Sequence, residues 1–351
     1  MRIIFAGPGD LAARTGGYGY DRAVIAALPE FNIEVAHVAL MGSFPFQSEA
    51  EAHAAAHAIN AALAPRDVAL IDGLAYGALP EDAIRAITAP VLALCHHPLG
   101  LEQGLDPARA KALLRSEAAA LALAAHVIVT SAHTLKTLIE DFGVSPSAVT
   151  VALPGTAPAS RAAGSSGGTT LLAVGSIIAR KGFDILVEAL AGLQALDWRL
   201  RLVGGAPAPE TANALARLIE ARGLGARIDW LGEVSAEALD GVYDSSDIFV
   251  SSSLYEGYGM ALAEALARGL PIVTTTGGAC ADTAPDGAAL KVAPGDVDAL
   301  REALRRMIED EGLRRDLSKA SWRAGRKLPS WRDTARTIGR AARAIAPAVA
   351  P

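Results

Sequence analysis

The 351 residues are enough for two domains of ordinary size. Lysine and arginine number 32 against 38 aspartates and glutamates, and the resulting net charge of −6 argues against a nucleic-acid binder. Only two cysteines, Cys95 and Cys280, are present, too few for a disulfide framework or a four-cysteine zinc site. Short apolar runs then alternate with helical patterns along the chain. Residues 2–6 read as a first strand, followed by a glycine-rich loop at Gly16 and Gly17. Further strands are expected at 33–40, 68–71, 91–94, 127–130 and 149–153, with alanine-rich helices at 48–63 and 107–125. The apolar run 3–6 is far too short for a signal peptide and no segment reads as a transmembrane helix, so a cytoplasmic protein is expected.

Residues 157–169, rich in Ala, Ser and Gly, interrupt the pattern and read as an interdomain linker. The alternation restarts with strands at 171–174, 200–203, 228–231, 248–250 and 271–275, and helices at 183–193, 209–222, 260–268 and 297–307. A last helix is expected at 330–345. Strand–helix alternation implies parallel sheets with right-handed crossovers. Ligands of such sheets bind at the carboxyl ends of the strands, so the loops after each strand deserve the closest reading.

Two of those loops carry an unusual chemistry. After the strand at 248–250 comes Glu256-Gly-Tyr-Gly-Met-Ala-Leu-Ala-Glu264, two carboxylates around a Gly-x-Gly turn. The backbone N–H groups of Gly257, Tyr258, Gly259 and Met260 form a helix N-terminus suited to phosphate or sugar oxygens. Glu264, expected about two turns inside the helix, is placed to accept ribose hydroxyls. After the strand at 171–174 comes Gly175-Ser-Ile-Ile-Ala-Arg180-Lys181-Gly182, whose two cations suit a diphosphate leaving group.

These motifs resemble those of the retaining GT-B glycosyltransferases of family four. The resemblance continues through Gly277-Gly278, Asp286-Gly287 and Pro294-Gly295-Asp296, and in the first half includes Thr15-Gly-Gly-Tyr-Gly-Tyr20 and Cys95-His96-His97-Pro98. It implies an α/β fold of two facing Rossmann-like domains, with the last helix crossing back to the N-terminal domain. The implied organisation is an acceptor-side domain at 1–155, a linker at 156–169, a donor-binding domain at 170–328 and the returning helix at 329–351. By the same resemblance Lys181 and Arg180 bind the donor diphosphate, Glu264 holds the ribose, and Glu256 with residues 257–260 contacts the transferred sugar. Gly16 and Gly17 let the first loop approach the phosphates, and His96 sits near the reacting carbon. The catalytic set is thus His96, Glu256 and Lys181. Ser176 stands where many relatives have an arginine, and Asp282 near where many have a glutamate.

The implied reaction moves a sugar from a UDP- or GDP-sugar to a hydroxyl acceptor, with retention, without metal and without a cofactor other than the nucleotide-sugar co-substrate. From residue 312 to 343 ten lysines and arginines face only Asp316 and Asp333. That basic stretch reads either as a solvated helical face or as a contact with anionic lipid or a lipid-linked acceptor, placing the protein at the inner face of the membrane. A nucleotide-sugar 2-epimerase and a non-enzymatic two-lobed sugar-binding protein are the competing readings. Glu102 is close enough in sequence to orient His96 or His97. His53 and His57, four apart, lack an evident third metal ligand, and Asp296-Val-Asp298 reads as a helix N-cap. Gly16-Gly-Tyr-Gly lacks the remaining features of a dinucleotide loop.

Overall fold

The computed structural model describes residues 1–13 and 15–347. It divides into two compact units, Met1–Gly155 with Pro329–Pro351, and Thr156–Leu328. Residues 348–351 of the returning segment lie outside the described residues.

The first unit holds β1 (Arg2–Pro8), β2 (Glu34–Leu40), β3 (Val68–Asp72), β4 (Val91–Cys95), β5 (His126–Val129) and β6 (Val149–Val151). They pair in parallel in the order β2-β1-β3-β4-β5-β6. The second holds β7 (Thr169–Val174), β8 (Trp198–Val203), β9 (Ile228–Gly232), β10 (Ile248–Ser251), β11 (Ile272–Thr275) and β12 (Ala289–Val292). Their order is β12-β11-β10-β7-β8-β9, again parallel throughout. Both units are Rossmann-like, as expected from the alternation. β3 and β4 are buried at every position, which is why they read as unbroken apolar runs: helices cover both faces of the sheet. Strand order reverses between β1 and β3 in the first unit and between β7 and β10 in the second, the positions where open α/β sheets bind ligands.

Local chemistry sets the helix ends. Ser48 and Glu51 form a capping box, Asp106 caps a helix opened by Pro107, and Ser330 with Asp333 caps the last helix. That helix, Trp331–Ile345, belongs to the first unit, where Ala335, Ile338 and Ala342 join a core with Ile3, Phe5, Tyr20, Val24, Leu28 and Ile33. The outgoing and returning chains run side by side: Thr334 Oγ1 donates to the Leu153 carbonyl at 2.7 Å, and a Cβ on Gly155 would lie 2.2 Å from the Trp331 nitrogen.

Three expectations change. Gly16 and Gly17 do not form a loop; they open a helix, Gly16–Ala27, capped by Thr15. The physical reason lies downstream, where Asp21 to Ala27 carry enough helix-forming and core-facing residues to outweigh three glycines. A Cβ on Gly17 would meet the His96 ring at 3.6 Å, an ordinary contact, so no protein atom there demands glycine. Glu264 is the fifth residue of the helix Met260–Ala267, little more than one turn in. Residues 156–168 form no regular element, yet from residue 161 they bond into the second unit: Arg161 donates to the Ser318 hydroxyl, the Ala162 N–H to the Arg268 carbonyl, and Ser165 is held by Asp247. Among the described residues no helix is long and apolar enough to cross a membrane.

Candidate functional site

In the second unit the loops after β7 and β10 are stitched together at the point of strand reversal. The loop after β7 ends in a tight turn, Ala179–Lys181, and Gly182 then adopts φ 59° and ψ 33°. That left-handed backbone suits glycine, and a Cβ there would lie 2.4 Å from the Ser252 carbonyl oxygen. The close approach lets the Ser252 hydroxyl donate to the Lys181 carbonyl at 2.9 Å and the Leu254 N–H to the Arg180 carbonyl at 2.8 Å. Gly182→Ala should therefore cost at least about 2 kcal/mol in urea unfolding, from strain and overlap together. Gly225→Ala, with open space around it, should stay within about 0.5 kcal/mol. Equal stabilities for the two variants would disprove the close approach.

The stitching brings the two sequence motifs into contact. Lys181 Nζ lies 2.6 Å from Glu256 Oε1 and Arg180 Nη1 lies 3.4 Å from Oε2. Arg180 also donates to the Tyr255 carbonyl at 2.8 Å, and the Ser253 hydroxyl donates to Glu256 Oε1 at 2.6 Å. Glu256 is buried. Burial alone would raise its pKa, but Lys181 and Arg180 with the hydrogen bonds hold it below the usual carboxylate value. Gly277 and Gly278 back this turn: a Cβ on Gly277 would sit 2.3 Å from the Leu254 carbonyl oxygen, and the Glu256 carbonyl accepts from the Ala279 N–H at 2.8 Å.

Gly259, at φ 88°, starts the helix Met260–Ala267, whose N-terminus has no side-chain cap. Gly257, Tyr258, Gly259 and Met260 thus lie directly after Glu256, between the Lys181 cluster and Glu264. Glu264 accepts from the Tyr243 hydroxyl at 2.9 Å, and the Arg268 guanidinium lies 4.4 Å from the centre of the Tyr243 ring. Burial pushes the Glu264 carboxyl upward despite these partners.

In the first unit His96 follows β4. Its Nε2 lies 3.1 Å from Asp21 Oδ1, on the helix after β1, and 3.4 Å from Asp72 Oδ2, at the end of β3. Tyr20 packs edge-on against the His96 ring at 5.0 Å, and Thr130 donates to the His96 carbonyl. The three polar side chains have ligand atoms within 4.8 Å of one another, a spacing that would also suit a cation. A proton on Nε2 faces one oxygen of each carboxylate, while Asp21 Oδ2 is buried without a hydrogen-bond partner among the described residues, and we read the cluster as an ion pair. His97 faces Glu102 at 3.7 Å. His96 and His97 therefore face different acids, and Glu102 lies near the second at a distance too long for a hydrogen bond.

Sequence reasoning missed Asp21, Asp72, Tyr243 and Ser253. Asp72 carried a usable signal, an acid at the carboxyl end of an apolar strand. Ser253 ends a run of three serines after a strand; Tyr243 had none, since it occupies an ordinary apolar position of the helix Ala236–Asp244. Of the features set aside, Asp296 caps its helix through the Ala299 N–H at 2.9 Å as expected, while exposed His53 has an acidic neighbour that the sequence did not disclose, Asp82 at 3.3 Å. Both cysteines are buried and free.

Residues 160–323 match the family described as "Glycosyl transferases group 1". The second unit is a group 1 glycosyltransferase domain. Lys181, Glu256 and Glu264 all fall within the matched residues of this domain. The chain is 29 % identical over 232 residues to the mannosylfructose-phosphate synthase of Agrobacterium fabrum, covering 60 % of this chain and 51 % of that one. It is 27 % identical over 260 residues to an MMP alpha-(1->4)-mannosyltransferase of Mycolicibacterium hassiacum, covering 67 % and 62 %. The chain spans about half the length of the curated relatives it matches. Among solved structures, sucrose-phosphate synthase from Thermosynechococcus elongatus superposes with a TM-score of 0.82 at 22 % identity, covering 97 % and 98 %. Anabaena HepE, solved in complex with UDP-glucose, superposes with 0.74 at 16 % identity, covering 98 % and 100 %. The whole chain thus shares the GT-B fold, its glycosyltransferase domain contributing the second Rossmann-like unit.

Proposed function

We propose that this protein transfers a sugar from a UDP- or GDP-sugar to a hydroxyl acceptor. The observation that carries this reading is the cluster of Lys181, Arg180 and Glu256 beside an uncapped helix N-terminus at the strand reversal of the second unit. Two cations and a row of backbone N–H groups are what a departing diphosphate needs. In the reaction the anomeric carbon–oxygen bond breaks, the diphosphate oxygen takes the electron pair, and the acceptor oxygen bonds to the same carbon. The acceptor proton passes to the leaving diphosphate, which gives retention without a protein nucleophile and without metal.

Glu256 has both oxygens engaged by Lys181, Ser253 and Arg180, so its first role in this scheme is to hold the two cations at the phosphates, with sugar contact second. Glu264, its orientation set by Tyr243, takes the ribose. HepE, solved with UDP and with UDP-glucose, supports a nucleotide-sugar as donor class. The acceptor falls to the loops of the first unit. The basic C-terminal stretch gives little support to a lipid surface, because many of its arginines are spent locally: Arg314 on the carboxyl end of the preceding helix, Arg332 on Glu30, Arg336 on Asp333 and Arg343 on the Phe31 carbonyl.

Thermal unfolding with UDP, GDP, ADP and CDP tests the donor site. One nucleoside diphosphate at about 100 times its Kd should stabilise the protein by roughly 2.7 kcal/mol and thereby name the base. The gain should vanish in Glu264→Ala. A protein indifferent to every diphosphate is not this kind of transferase.

A further inference from the structure

We propose that Asp21 and Asp72 are positioning residues that hold His96 as an imidazolium, so that the ring serves as a hydrogen-bond donor to a substrate oxygen and not as a base. The proposal rests on the sugar-transfer reading for the nature of the substrate, and on the first unit alone for its geometry.

The two carboxylates converge on one ring nitrogen. Asp21 Oδ1 and Asp72 Oδ2 lie 3.1 and 3.4 Å from the same Nε2, and carboxylates only accept, so Nε2 carries a proton. The tautomer is thereby fixed, and the question becomes whether Nδ1 is protonated as well. Asp21 is fully buried and Asp72 nearly so. With a neutral ring, two carboxylates would share a desolvated pocket with no hydrogen-bonded countercharge, a costly arrangement that shows at Asp21, whose carboxyl burial pushes up while His96 and the more distant Arg22 pull it down. A second proton on the ring supplies that charge. The surroundings do not replace it. Arg22, on the same helix as Asp21, donates instead to the carbonyls of Leu11 and Ala13. Tyr20 offers the ring an edge and gives its hydroxyl to Ala152; Tyr18 gives its hydroxyl to Pro8. Cys95, the neighbouring residue on β4, is a buried thiol kept neutral by burial and by Glu117, and Asp10 is exposed on the loop after β1. Burial works against the charged ring, yet the two aspartates raise the His96 pKa to about 10.

The inward end of the ring is thus committed to carboxylates. Its side chain remains 23 % exposed, and among the described residues Nδ1 has no protein partner. The cluster stands at the carboxyl ends of β3 and β4, beside the strand reversal between β1 and β3, where a ligand oxygen would meet the ring. An imidazolium presents Nδ1–H there as a charge-assisted donor, and it has no free lone pair with which to take a proton from an acceptor hydroxyl.

The test is nitrogen-15 NMR of the full-length protein with labelled histidine, from pH 6 to 9, with the His96 signal assigned by its loss in His96→Gln. The wild-type ring should keep its imidazolium shifts to about pH 9, and in Asp21→Asn or Asp72→Asn its midpoint should fall toward about 6.5. A wild-type midpoint near the ordinary value, or one unmoved in both variants, overturns the proposal; using either aspartate variant covers the failure of the other to fold. Turnover supplies the second readout. His96→Gln keeps an N–H donor and should retain activity within about tenfold, while His96→Ala should lose about 100-fold or more. A glutamine variant as slow as the alanine variant would point to a base. Stoichiometric calorimetric binding of Mn²⁺ or Zn²⁺ that is lost in Asp21→Asn would replace the proton by a metal and also overturn the reading. The NMR result needs no substrate, so it separates this proposal from the donor-site reading: diphosphates without effect beside a persistent imidazolium would refute only the latter.

Discussion

Replacing Lys181 with alanine should slow sugar transfer by about two to three orders of magnitude and lower the stability of the second unit at the same time. On the proposed function, the first effect follows from the loss of a cation aimed at the departing diphosphate, a kind of deletion that costs roughly 3–4 kcal/mol of transition-state stabilisation. The second follows from the partner left behind. Lys181 Nζ sits 2.6 Å from Glu256 Oε1, and the two side chains are only 18 % and 10 % exposed. Removing one member of a buried pair strands the other charge, typically at about 3–5 kcal/mol. Here the low end applies, because Arg180 and Ser253 still hold Glu256. The effects come apart in the double variant Lys181→Met with Glu256→Gln, which removes both charges. Its urea midpoint should recover toward the wild type while its turnover stays at least as low as that of the single variant. A folded Lys181→Ala protein working at near wild-type rate would end the assignment of Lys181 to the diphosphate.

How far the chain could be read in advance depended on how local each feature is. The strands announced themselves because a parallel sheet covered on both faces needs unbroken apolar runs, and VALID and VLALC are such runs. The two motifs that meet at Lys181 and Glu256 were legible because each is a short continuous stretch, a loop or a loop with the start of a helix, that follows a strand at a reversal point. The first turn of the helix Gly16–Ala27 reads as a loop because its glycines stand there, while the residues that sustain the helix come later. β12, four residues long, carries a lysine in its only apolar run and gave no clear signal.

The partners of the functional side chains were harder to see, because they are distant in sequence. Asp21 and His96 are 75 residues apart and meet only because β1, β3 and β4 lie side by side in the sheet. Asp72 comes into reach through the register that sets it opposite Leu94, two residues before His96. Tyr243 reaches Glu264 from a helix on the far side of β10 in sequence. Pairings of this kind are properties of the fold, and a motif search along one chain does not contain them. They also add to the expected contacts: Glu256, expected to touch the transferred sugar, pairs as well with two cations.

The first unit should lose stability as pH rises from about 6 to 9, the reverse of the behaviour of a domain held by ordinary carboxylate pairs. Two buried groups drive this. His96 is raised to about 10 by Asp21 and Asp72 against the opposing effect of burial. A histidine whose folded value exceeds its unfolded value of about 6.5 contributes fully below that pH, and the contribution fades as pH climbs through the folded value. Glu117 is raised to about 8 by burial, although the Leu99 N–H donates to its Oε2 at 2.7 Å. Its carboxyl holds a proton more tightly in the folded protein than in the unfolded chain. Folding is therefore penalised progressively from about pH 4.5 up to about 8, the same direction as for His96. The windows overlap between about 6.5 and 8, and together they should remove on the order of 3–6 kcal/mol by pH 9. Scanning calorimetry at pH 6, 7.5 and 9 reads the slope, and Glu117→Gln identifies the transition of the first unit by shifting it. In that variant the lower part of the slope should flatten, and in His96→Gln the upper part. A first-unit transition that holds steady or rises with pH would mean that neither group keeps its proton in the folded state, and that the charge on His96 is not what binds Asp21 and Asp72 together.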